Sequence, residues 1–67
     1  MTTFYTIEKT ELDFDTEIKS QLFSLAQQIE DNENEYNLLP QEEFLDTFVW
    51  VLENNHIPYR LSKPNVI

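Results

Sequence analysis

The chain contains no glycine. Any turn that needs positive φ must therefore be made by a residue carrying a Cβ, and Asn is the most tolerant of these. Asn32, Asn34, Asn37, Asn54 and Asn55 fall between the apolar segments, where chain reversals are expected. There is also no cysteine, which removes disulfides and thiolate metal sites from consideration. Sixty-seven residues allow one domain, 1–67, in which only about 60% of the unfolded chain's surface is buried. With 40% hydrophobic residues, such a chain has enough apolar material to fold rather than remain a tail.

The apolar pattern gives four elements. Residues Thr3 to Lys9, TFYTIEK, are aromatic and β-branched and put Tyr5 and Ile7 on one face, as a strand does. Ile18, Leu22, Leu25 and Ile29 follow at helical spacing. With Asp13 or Asp15 as N-cap, they predict a helix from about Asp15 to Glu30. The polar stretch from Asp31 to Asn37 then breaks the stripe. Pro40, which suits the first helical position, opens a second helix running to about Asn54. Ile57, Tyr59 and Leu61 alternate in a last strand, with Pro58 confining it to an edge. Residues 64–67 read as a loose tail.

The expected class is therefore α+β, in the order β-α-α-β. A helical hairpin would lie on a two-stranded antiparallel ribbon. A lone ribbon is marginal in water, and its unpaired edges invite completion by a second copy. A homodimer is thus one expected partner arrangement.

On the second helix, 100° steps gather Phe44, Leu45, Phe48, Val49, Val51 and Leu52 on an arc of roughly 160°. Trp50, the sole tryptophan, projects from the opposite arc among Glu43, Asp46 and Asn54. The core face is complete without it, and tryptophan is enriched at the centres of protein interfaces. An alternative is that the ring lies under Val66 or Ile67.

Thirteen acidic residues against four basic ones give a formal charge of −9, which argues against direct binding to nucleic acid or anionic lipid. Asp13, Asp15, Glu17, Glu42 and Glu43 sit near predicted helix starts, where the macrodipole favours carboxylates. Glu30, Asp31, Glu33 and Glu35 crowd a predicted helix end with no nearby cation, so local stability does not account for them. They could stand in for phosphates in the groove of a basic protein. Asp31, Glu33, Glu35 and Glu42 also fall at positions 1, 3, 5 and 12 of a calcium-type loop. Tyr36 occupies the position that needs glycine, so the metal reading is weak.

No paired nucleophile and base, phosphate-cradling loop or cofactor motif is present. His56, the sole histidine, stands at a helix end, and Glu8 and Arg60 are placed to pair across strands. The first ten residues lack the pattern of a signal peptide, and the longest apolar run, Phe48 to Leu52, is far short of a membrane span. The expectation is a non-enzymatic cytoplasmic interaction module, without cofactor or membrane contact. It would bind a basic protein partner through Trp50, Glu43, Asp46 and the acids from Glu30 to Glu35. The alternative is an acidic mimic of nucleic acid.

Overall fold

The structure, a computed structural model, describes residues 3–29 and 32–62. It is α+β, with one antiparallel sheet and its helices. The elements are β1 (Phe4–Glu8), α1 (Lys9–Asp13), α2 (Thr16–Leu25), β2 (Ala26–Gln28), β3 (Glu35–Pro40), a 3-10 turn (Glu42–Phe44), α3 (Leu45–Asn54) and β4 (Arg60–Ser62). The sheet order is β2-β3-β1-β4, antiparallel throughout. Strands β1 and β2 flank β3, while β3 and β4 flank β1, so the chain forms two interleaved split β-α-β units.

The β-α-α-β ribbon expected from the sequence is corrected by this topology. Helix α2 ends at Leu25, not Glu30, because Ala26 turns to extended backbone (φ −142°, ψ 157°) and pairs with Pro40. Ala26, Gln27 and Gln28 are good helix formers, but the propensity at stake is at most a few tenths of a kcal/mol per residue. Pairing with β3 and burial of Ala26 override it. Glu35 to Pro40, expected as loop and helix start, is the third strand. Its Tyr36 and Leu38 alternate into the core opposite Ile7 and Tyr5. The helix expected to open at Pro40 begins with the 3-10 turn at Glu42. The β2–β3 pair thus supplies within one chain the neighbour that the lone ribbon was expected to seek in a second copy.

Turns are made without glycine in two ways. Asn32 folds its side chain back, and its Oδ1 accepts the N–H of Asn34 at 2.8 Å and of Glu35 at 2.7 Å, an Asx-type turn. At the end of α3 the positive φ expected of Asn falls instead on His56, with φ 56°. There Ile57 N–H donates to Leu52 C=O at 2.9 Å and His56 N–H to Glu53 C=O at 3.2 Å. These are the two bonds of a Schellman cap, and the accompanying apolar contact brings together buried Ile57 and Leu52. Ile57 therefore belongs to the cap, and the last strand starts later than expected, at Arg60. Asn37 lies inside β3 rather than at a turn. Asp15 is the N-cap of α2, accepting from the N–H groups of Glu17 and Ile18.

The core lies between the helices and one face of the sheet. It contains Ile7, Leu12, Leu22, Ala26, Tyr36, Leu38, Phe48, Val51, Leu52 and Ile57. Phe48 meets Tyr5 edge-on at 5.1 Å between ring centroids, tying α3 to β1. By strand alternation, Phe4, Thr6, Glu8, Asn37, Leu39, Arg60 and Ser62 occupy the opposite sheet face. Among the described residues, no helix is long and apolar enough to cross a membrane.

Candidate functional site

Helix α3 is positioned by its inner side. Phe48, Val51 and Leu52 are fully buried, and these three set the rotation of the helix about its axis. Trp50 follows Phe48 by two residues, about 200° around the helix, and points away from the sheet. Trp50 is 61% exposed. Asp46 and Glu53, one turn to either side, are also exposed, and Glu43 stands exposed in the preceding 3-10 turn. The expected apolar arc is only partly inside: Phe44 and Leu45 are exposed at 37% and 38%. Phe44 belongs to the 3-10 turn, whose step of about 120° per residue breaks the α-helical phase.

Around the indole the charge is one-sided. Glu43 and Asp46 form no ion pair among the described residues. Glu53 accepts a hydrogen bond from the Tyr59 hydroxyl at 3.3 Å. Burial, and then the Glu53 charge, raise the Tyr59 hydroxyl above its ordinary pKa, so the phenol stays neutral beside the carboxylate. Val66 and Ile67, suggested from sequence as a cover for Trp50, lie outside the described residues.

The acidic cluster expected after the first helix is divided. Glu30 and Asp31 lie outside the described residues. Glu33 is exposed in the β2–β3 connection and Glu35 is the first residue of β3. Glu35 does have a cation: Arg60 Nη2 lies 2.8 Å from its Oε2, reaching across β1. Asn32 Nδ2 donates to Oε1 at 3.1 Å, and this bond, with the Arg60 contact after it, holds the Glu35 carboxyl below its ordinary pKa. Arg60 was expected to pair with Glu8, yet β1 and β4 register sets it beside Thr6, within reach of Glu35. The calcium-type loop is not formed. Glu35 and Glu42 are separated by the length of β3, five residue steps or about 17 Å, so they cannot close one coordination sphere.

Two further cations are also committed internally. Lys19 Nζ lies 3.0 Å from Asp13 Oδ1 and 5.0 Å from the centroid of the Tyr36 ring, while Lys9 Nζ stands 5.2 Å from the same ring. With Lys19, Lys9 and Arg60 so placed, most surface carboxylates have no cation beside them among the described residues. A groove open to solvent is lined by Glu8, Lys9, Thr10 and Asn32 to Glu35.

The sheet face opposite the helices carries a row of hydrogen-bonded polar side chains that the sequence did not reveal. Thr6 Oγ1 donates to Asn37 Oδ1 at 2.7 Å and contacts Ser62 Oγ at 2.9 Å. A hydroxyl has one proton, so Ser62 is the donor in the second bond and the row runs Ser62 to Thr6 to Asn37 across three strands. The alternation of Tyr36 and Leu38 could have revealed β3, but Asn37 and Pro40 within the same six residues mask it.

No protein-family model matches this chain, and neither the curated proteins nor the solved structures contain a match to it.

Proposed function

We propose that this protein is a non-enzymatic interaction module that docks a basic protein partner onto the outer side of α3. The observation that carries this is Trp50, 61% exposed on a helix whose core contacts are complete without it. Asp46 and Glu53 are exposed one turn to either side of it, and Glu43 is exposed in the preceding 3-10 turn. An arginine side chain suits that combination, stacking its guanidinium on the ring while its N–H groups meet a carboxylate. Residues of Trp and Arg type carry most of the binding energy in many interfaces. A composition free of cysteine and a partner of this chemistry fit a cytoplasmic setting.

The test is a titration of wild type and Trp50→Ala against an Arg-containing basic peptide, followed by heteronuclear NMR of the α3 amides. Binding by wild type should shift the Trp50 indole N–H and weaken by at least tenfold in Trp50→Ala. Shifts confined to residues outside α3, or equal affinity in the variant, would overturn the assignment.

A second reading is the nucleic-acid mimic, favoured by one observation: the three described cations are each occupied internally, which leaves the exposed carboxylates to dominate the field. On this reading Glu33, with Glu30 and Asp31, meets a basic groove, and Glu35 contributes less because Arg60 already neutralises it. Glu33→Gln would then weaken binding to a DNA-binding protein, with a steep loss on adding salt, while Trp50→Ala would not.

A further inference from the structure

The sheet ends in two unlike edges. At the β2 edge, the sequence continues from Ala26–Gln28 through Ile29 to two acidic residues, Glu30 and Asp31. The β4 edge is different. No Asp or Glu occurs after Glu53, although two of the chain's four cations, Arg60 and Lys63, do. In a molecule of charge −9, this is the segment another copy can approach with least repulsion.

The same edge presents unsatisfied apolar surface. Leu61 pairs with Tyr5 in register and shares its helix-side face, but it lies beyond the cover of α3 and is 61% exposed. A groove runs beside it, lined by Tyr5, Leu39, Pro40, Leu45 and Leu61, with Thr3 and Glu42 as its other polar members. Among the described residues, strand β4 has β1 on one side and no strand on the other, so half of its backbone groups face outward. An uncovered strand edge beside apolar side chains is a template for strand addition.

We propose that the outer edge of β4 is a self-association surface, on which a second copy adds its own β4 antiparallel about a two-fold axis at Leu61. The register is self-complementary. Leu61 faces Leu61 of the second copy and Arg60 faces its Ser62, so no like charges are set opposite one another. The two apolar grooves become continuous, and two four-stranded sheets join into one. Closure by a two-fold axis limits the assembly to a dimer, whereas β4 adding to β2 would leave open ends and continue indefinitely. Three residues per strand make a small contact, well under the roughly 800 Å² per partner of a standard interface, so the dimer is weak.

Salt separates this surface from the one on α3. Docking of a basic partner weakens as charges are screened, but pairing of two acidic copies strengthens. The experiment is sedimentation equilibrium of wild type, Leu61→Lys, Gln27→Lys and Trp50→Ala, from micromolar to millimolar protein at low and high salt. Wild type should rise from 8.1 kDa toward twice that mass with concentration, and further at high salt. Leu61→Lys should raise the dissociation constant at least tenfold, and its exposure means that the core is not touched. Gln27→Lys, on the opposite edge, and Trp50→Ala should behave as wild type. A mass of 8.1 kDa under all conditions would overturn the proposal, as would mass growing without limit, or loss of the dimer in Gln27→Lys but not in Leu61→Lys.

Discussion

The Tyr36 hydroxyl donates to Asp13 Oδ1 at 2.7 Å, joining the end of α1 to the middle of the sheet across 23 residues of sequence. That bond, then the Lys19 ammonium at 3.0 Å, holds the Asp13 carboxyl below its ordinary pKa. A depressed carboxylate contributes stability that is present above its unfolded pKa and lost as pH falls through the folded value. Glu35 is lowered too, by Asn32 and Arg60, and acts in the same direction. Stability measured by urea midpoint should be level from neutral pH down to the ordinary carboxylate range near about 4, and then fall. Tyr36→Phe removes the largest influence on Asp13. It should flatten the acid limb of that profile, and an unchanged acid limb would show that the bond does not form in solution.

Phe48 couples helix and sheet, being fully buried and in edge contact with Tyr5. Truncating such a ring to Ala costs about 3–5 kcal/mol. A domain of this size has about 3–10 kcal/mol in total. Phe48→Ala should therefore unfold a large fraction of the molecules at 25 °C, whereas Trp50→Ala, two residues along, should change the melting temperature little. Circular dichroism melts of the pair test the assignment of inner and outer faces.

His56 at φ 56° occupies a position for which glycine is the natural residue. A side chain in this conformation costs about 1–2 kcal/mol, partly offset in any glycine variant by the greater freedom of its unfolded chain. His56→Gly should stabilise by about 0.5–1 kcal/mol, and raise the melting temperature by a few degrees. His56→Val should lower it, because a β-branched residue fits left-handed backbone poorly. The reverse order of the two variants would refute the Schellman cap.

What was legible in advance was local. The alternation of Tyr5 and Ile7 placed β1, the side chain of Asp15 capped α2, and the stripe from Phe48 to Leu52 fixed the inner side of α3 and with it the outward direction of Trp50. Each depends on residues within a turn or two of one another, and local spacing suffices to read them. Leu61 was recognised as an apolar strand residue, but its exposure was not, because that depends on where α3 ends above the sheet.

The α+β class, the excess of acidic residues and the inner side of α3 follow from local pattern and composition. The stretch from Ala26 to Pro40 takes its conformation from long-range pairing. Ala26 to Gln28 would extend α2 on propensity alone, and Glu35 to Pro40 mixes strand formers with Asn37 and Pro40. Their conformation is set by pairing with each other and with β1, as Leu38 meets Tyr5 and Gln28 meets Leu38. Arg60 likewise meets Glu35 across β1, because the pairing of β4 with β1 sets it beside Thr6. Contacts between residues ten or more positions apart leave no periodicity in the chain, and their combined hydrogen bonds and burial exceed the few tenths of a kcal/mol per residue by which local preference differs.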